Sequence, residues 1–422
     1  MPREESRTNA TFGPRCQTRV GIDQGSQHHD VCLASEGQAP SYLRVPNDAD
    51  GLQELLAAIR RREPDPAQVH VAIEGSGQGL FVAALLAAGF RVYPVNPKAV
   101  DRYRDRLSPA GSKDDRRDAL VLAEILRTDR HRLQPLRLES DTLRQLRVAY
   151  SHHQTLVEER TRLLNQLTAC LRAYYPRALE LFADLGRPVA WTFLRAFPTP
   201  AHFARARRSR IEKLLRQHRY PGVAAKTAEL LELARKPQLP ADPATVALWA
   251  RRMLFLVDQL EAVCRELEAC HEQLETLVQA HPDGDLFRSM KGIGTVLAAG
   301  MITVFGEDRQ AVPSVRPIQC RSGTAPVTVR SGKTVRVRFR HACNKQARNT
   351  VQLLAQQLVL HHDWAREIYQ THRDRGRHHH EALRIVAHHA LRVLFAMWRD
   401  RQPYDPTRFE AARRQRQQPK AA

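Results

Sequence analysis

The chain predicts an α/β domain followed by a mainly helical region, and three features of the sequence carry that expectation. Short apolar strands alternate with helical periodicity up to about residue 107. Two later stretches, in 139–178 and 256–277, keep apolar residues at a 3-4 spacing over many turns. Two of the early strands run into carboxylates, Asp23 and Glu74, and a helix shortly afterwards opens with Asp115 and Asp118.

Residues 1–18 are polar and read as a disordered tail. Arg19-Val20-Gly21-Ile22-Asp23 is a strand, and His29–Ala34 and Tyr42–Val45 are two more across the turn-forming Glu36-Gly37-Gln38. Residues 48–62 carry Leu52, Leu55, Leu56 and Ile59 on one helical face. Val69–Gly75 is a fourth strand, Gly79–Ala88 a helix and Phe90–Val95 a fifth strand, with a further helix from Pro97. Three strands followed by alternating helix and strand is the order of a ribonuclease-H-like domain, placed at 19–135. In that order the first and fourth strands are neighbours, and a later helix can cross their ends.

Asp115 and Asp118 are three residues apart and share a helix face. Side by side, two carboxylates repel unless a positive charge stands between them, and a hard divalent cation suits oxygen ligands. Acids that merely favour a helix N-terminus are the plain alternative. Asp23 read alone is a strand-ending turn residue, and Glu74 a surface acid before Gly75. Taken together, Asp23, Glu74, Asp115 and Asp118 offer enough oxygens for two Mg²⁺ ions at a phosphodiester. Asp114 and Asp30 are read as bystanders.

Residues 136–280 form a long-helix region in which Leu146, Tyr150, His153, Val157, Leu164, Leu167, Leu171 and Tyr174 make one stripe, with Arg160 its polar interruption. Leu256, Leu260, Val263, Leu267, Cys270, Leu274 and Leu277 make the other. The stripes pair either as a coiled coil between subunits or as a hairpin within one chain. Between them, 180–245 is a helical insertion with a basic segment at Arg205–Arg210, facing nucleic acid or simply water. A C-terminal domain is placed at 281–400. It holds Met290–Ala299, with the glycine pair of a helix-hairpin-helix turn around Lys291. Beyond it Ser331 sits among Arg330, Gly332 and Lys333, as a turn serine or as a hydroxyl able to approach a phosphate. The next segment alternates cation and apolar residue through Arg336, Arg338 and Arg340, and Lys345 and Arg348 follow near a helix start. His378–His380 and His388-His389 read as surface histidines, and 401–422 as a basic tail.

Lys and Arg number 66 against 45 Asp and Glu, a net charge of +21 over 422 residues. A chain that basic meets a polyanion. Seven cysteines without a C-x-x-C pair read as reduced thiols and argue against structural zinc. No apolar run is long enough to span a membrane and the N-terminus lacks a signal-like core, so a cytoplasmic protein, nucleoid-associated when acting, is expected.

Several motifs together resemble the DEDD-type insertion-sequence transposases. These are RuvC-like recombinases with a C-terminal transposase domain, related to Piv-type invertases and described as bridge-RNA-guided. The marks are Gly21-Ile22-Asp23, Ile73-Glu74 and Lys113-Asp114-Asp115-Arg116-Arg117-Asp118-Ala119, followed by Lys291-Gly292-Ile293-Gly294, Ser322-Gly323-Thr324-Ala325-Pro326, Arg330-Ser331-Gly332-Lys333 and Cys343-Asn344-Lys345-Gln346-Ala347-Arg348. Asp114 replaces the family's Ser or Thr, a lysine is missing after Asp23, and Cys343 stands for a common glycine. The resemblance implies metal-binding acids at Asp23, Glu74, Asp115 and Asp118, with Ser331 as nucleophile. Lys113, Lys291, Arg330, Lys333, Arg336, Arg338, Arg340, Lys345 and Arg348 would contact nucleic acid. It further implies Mg²⁺, donor and target DNA, a structured non-coding RNA, and a homo-oligomer, dimer or tetramer, joined through the coiled coil. A junction resolvase or nuclease using water, and a non-catalytic scaffold, are the competing classes.

Overall fold

In a computed structural model the described residues are 18–75, 79–107, 114–237, 242–332 and 334–407. The chain forms two compact units, divided at Glu139/Ser140. The first holds β1 (Thr18–Gln24), β2 (His28–Ser35), β3 (Ser41–Pro46), α1 (Ala49–Arg62), β4 (Val69–Glu74), α2 (Leu80–Ala87), β5 (Arg91–Val95), α3 (Pro97–Leu107) and α4 (Asp115–Asp129). Its sheet runs β3-β2-β1-β4-β5. β2 is antiparallel to β1 and β3, while β1, β4 and β5 are mutually parallel. This is the ribonuclease-H-like order that the strand pattern predicts.

Strand alternation sorts the side chains into two layers. Val20, Ile22, Val69, Val71 and Ile73 pack with Leu55, Ile59, Val82 and Leu85 from α1 and α2. On the opposite face Cys32, Ala34 and Ala72 are small, and Ala119, Ala123, Val121 and Leu122 of α4 lie against them and their neighbours. Gly21 lets the helix touch the strand: a Cβ there would stand 1.9 Å from the Ala119 carbonyl oxygen.

The second unit contains α5 (Asp141–Tyr174), α6 (Pro188–Ala196), α7 (Pro200–Ala204), α8 (Arg208–Gln217), α9 (Val223–Arg235), α10 (Pro243–Ala280), α11 (Gly284–Arg288), α12 (Thr295–Phe305) and α13 (Arg316–Arg321). The ribbon β6 (Val327–Ser331) and β7 (Thr334–Arg338) follows, then α14 (Lys345–His361), α15 (Asp363–Asp374) and α16 (His379–Asp400). α5 and α10 lie antiparallel, since Cys270 Sγ approaches Ala149 O while Cys170 Sγ approaches Trp249 O. The apolar stripes therefore face each other within one chain. Leu146, Tyr150, Leu167, Leu171, Leu256, Leu260 and Leu274 are all buried, so these positions are closed to a partner subunit.

Two apolar cores share the helix pair. One end of the pair packs with α6–α9 around Phe193 and Phe203. The other packs with α12, α14 and α16 around Phe287, Met301 and Trp398. The sequence places a domain boundary at 280, where α10 ends; Leu274 and Val278, just before it, lie in the same core as the C-terminal helices. Among the described residues no helix is long and apolar enough to cross a membrane.

A candidate acid site and an exposed cationic ribbon

On β1 the residues sharing Gly21's face include Asp23, and on β4 those sharing Ala72's face include Glu74. Gly21 stands beside Ala72 in the parallel register. Both carboxylates thus leave the sheet on the α4 side, at neighbouring strand ends. α4 starts there because Asp114 caps it, its side chain accepting from Arg116 N. The Asp that replaces Ser or Thr in the motif has the same capping chemistry. Asp115 and Asp118 follow in the first helical turn; Asp115 is exposed, whereas Asp118 is only 2 % exposed.

A buried carboxylate needs a partner, and α3 supplies one. Arg104 Nε donates to Asp118 Oδ1 at 2.6 Å and its Nη1 lies 3.2 Å from Asp101. The hydrogen bond to Asp118, with the charges of Asp101 and Glu74 behind it, raises the guanidinium's pKa against the cost of burial. A cation therefore already stands within the field of Asp118 and Glu74. Asp30, read as a bystander, belongs to the same neighbourhood: it is 8 % exposed, sits opposite Asp23 in the β1–β2 register, and has Arg44 at 3.8 Å. Opposed residues of an antiparallel pair share a face. Nothing but hairpin symmetry about Gly25–Gln27 could have revealed Asp30 in the sequence, and nothing could have revealed Arg104.

The donor set suits a hard divalent ion, being all carboxylate oxygen, and the half-buried guanidinium paired with Asp118 puts positive charge beside the buried carboxylate. As the side chains stand, no three His, Cys, Asp or Glu among the described residues are close enough to hold one ion. Arg104 supplies the neutralising charge instead.

Ser331 lies in the second unit, at the end of β6. Across the end of the ribbon Ser331 is paired with Thr334, and Gly332 has φ +54°, in the left-handed region that favours glycine. Ser331 pairs with Thr334, Val329 with Arg336 and Val327 with Arg338, so one face of the ribbon carries the serine and two arginines. Thr328, Arg330, Val335 and Val337 occupy the other face. Arg330, Arg336 and Arg338 are exposed. Arg340 and Arg348 have structural contacts: Arg340 Nε donates to Ala325 O, and Arg348 Nη2 to the carbonyls of Arg340 and His341. Lys345 is exposed in the first turn of α14, and Lys291 is exposed on the turn before α12, its carbonyl accepting from His362 Nε2 at 2.8 Å. Lys113 and Lys333 lie outside the described residues.

Comparison with known proteins finds matches in both units, the first running past the boundary at 139/140 to the end of α5. Residues 20–176 match a family model for DEDD transposases of the IS110 type, and 284–370 match the IS116/IS110/IS902 transposase family. The chain is 32% identical over 395 residues, 92% of its length and 95% of the relative's, to the "Mini-circle putative transposase for IS117" of Streptomyces coelicolor. It is 28% identical to the insertion element IS900 uncharacterized 42 kDa protein of Mycobacterium paratuberculosis, covering 93% of this chain and 98% of that one. A solved structure of T. thermophilus RuvC in complex with Holliday junction substrate aligns at 16% identity and TM-score 0.21, covering 28% of this chain and all of that one.

Proposed function

Since this chain belongs to the IS116/IS110/IS902 family and is a DNA transposase, we propose that it cuts and joins DNA through a covalent phosphoserine intermediate made by Ser331. What supports the reading is that Asp23 and Glu74 stand at neighbouring strand ends on the sheet face that α4 covers, and that Asp118 in the first turn of α4 is paired with a cation, Arg104. Asp23, Glu74, Asp115 and Asp118 would hold Mg²⁺, two ions in the full site. When bound, Mg²⁺ would supply Lewis-acid stabilisation of the charge that develops on the phosphodiester oxygens.

The chain's own residues do the rest. A serine hydroxyl is a weak nucleophile until its proton is drawn away. Ser331 Oγ bonds to phosphorus as the bond from phosphorus to one sugar oxygen breaks, and the proton lost from Oγ is balanced by one gained on the departing oxygen. One phosphate ester replaces another, so the strand can be rejoined elsewhere without an external energy source. The reading requires that acids and serine, borne on separate units, meet at one phosphate. It also includes a structured non-coding RNA that selects the DNA partners, and a homo-oligomer, because exchange joins several DNA ends. The net charge of +21 suits RNA as well as DNA.

The test is a recombination assay on element-end DNA with the element's RNA, resolved on a denaturing gel. Wild-type protein leaves DNA attached to protein. Ser331→Ala abolishes that adduct, and Asp118→Ala lowers its formation at least about 100-fold. Free cleaved ends from Ser331→Ala at the wild-type rate would instead mean that water is the nucleophile.

A further inference from the structure

From Asp308 to Asp363 the chain carries ten Lys and Arg and no acid between those two residues, and the β6–β7 ribbon lies in the middle of that span. Every described ribbon residue except Val327 is exposed. Two exposed strands with cations and no internal counter-charge form a surface complementary to a polyanion. Yet the ribbon is not a loose arm, because its base is clamped. Phe339, just past β7, has two guanidinium groups over its ring, that of Arg348 on α14 at 4.7 Å from the centroid and that of Arg384 on α16 at 4.3 Å. Arg348 also holds the Arg340 and His341 carbonyls, and Arg340 returns a hydrogen bond to Ala325 at the foot of the other strand. Burial, together with the like charge of Arg348, lowers the pKa of Arg384. Two cations are thus brought together against one ring, where stacking on the aromatic face offsets their repulsion.

We propose that the clamped ribbon is a groove reader: it lies in the major groove of B-form DNA, with the Arg336 and Arg338 face toward the base edges. Five-residue strands span roughly 17 Å, and a two-stranded ribbon fits the roughly 12 Å width of that groove. The major groove of an A-form RNA helix is too deep and narrow to admit it. Arginine side chains on a face turned to the groove floor meet guanine O6 and N7, where guanidinium geometry is matched. The Phe339 clamp, with Arg384 as a positioning residue, fixes the ribbon's angle of entry into the groove.

The inference rests on the DNA-substrate reading but is tested apart from cleavage. Full-length protein carrying the element's RNA is mixed with a duplex DNA of element-end sequence. Binding is followed by fluorescence anisotropy and groove occupancy by dimethyl sulfate footprinting of guanine N7. Wild type should protect guanines from methylation and bind an RNA duplex of the same sequence at least about tenfold more weakly. The Arg336→Ala/Arg338→Ala double variant should lose that protection and at least about tenfold in affinity, with an unchanged melting temperature because both side chains are exposed. Phe339→Ala and Arg384→Ala keep both reading arginines and should lose protection with a smaller loss of affinity. Unchanged protection in the double variant, displacement of the protein by the minor-groove ligand distamycin, or equal affinity for RNA duplex would overturn the groove assignment alone. Absence of any duplex DNA binding by wild type would overturn the DNA reading with it.

Discussion

Arg104 holds a buried carboxylate that the proposed chemistry needs for another purpose. A metal ion bound as proposed would have to compete with that guanidinium for Asp118, and the two states of the site would differ by which cation is present. Arg104→Ala leaves Asp118 buried without that charge, which costs about 3 kcal/mol or more. Metal-free Arg104→Ala should therefore melt below wild type, and Mg²⁺ should raise its melting temperature by more than it raises that of wild type. Differential scanning calorimetry with and without Mg²⁺ decides; equal metal-induced shifts would mean that Arg104 does not contest the site. A second buried group on the same sheet face gives a pH signature. His70, 1 % exposed, has Tyr93 Oη 3.0 Å from Nδ1 and Arg130 Nη1 3.0 Å from Nε2. Burial, with the nearby charges of Arg130 and Arg91, pushes its imidazole down to about 4 from 6.5. Between those values the unfolded chain binds a proton that the folded chain refuses. Stability is thus full above pH 6.5 and falls as pH drops toward 4, by at most about 1.4 kcal/mol per unit. Thermal melts across this window should show a shallower pH slope for His70→Gln than for wild type.

At the scale of elements, what could be read from the sequence was what local pattern controls. Alternation at Val69, Val71 and Ile73 set strand and face together, and the 3-4 stripes set α5 and α10. The places of Asp23 and Glu74 at strand ends and of Asp118 in the first turn of a helix were legible because each closes or opens an element. The partner of a stripe is not a local property, so sequence left hairpin and inter-subunit pairing equally open, and the contacts at Cys170 and Cys270 decide for the hairpin. Ribbon formation was half legible: Thr334–Arg340 alternates visibly, but Val327–Ser331 gains its strand character from the register with β7. Arg104 and Arg384 escaped because their roles come from contacts across helices. Gly21 fell within a recognised motif, yet its physical reason, the 1.9 Å approach of a would-be Cβ to the α4 backbone, appears only once helix and strand are brought together.

Within the second unit, α5 and α10 run through both apolar cores without interruption, and this couples the cores energetically. Damage to the core around α6–α9 should be felt among the C-terminal helices. Phe193→Ala, which empties a site packed by Phe182, Phe197 and Phe203, should cost about 3–5 kcal/mol. It should also weaken amide hydrogen-exchange protection in α14, although α14 belongs to the other core. Unaltered α14 exchange would show that the cores open separately. α5 alone is about 51 Å long at 1.5 Å per residue. Along the stretch between the cores, Val157, Glu158, Thr161 and Arg162 all face water. Because α5 and α10 each take part in both cores, any displacement of one lobe relative to the other has to bend or turn this helix pair.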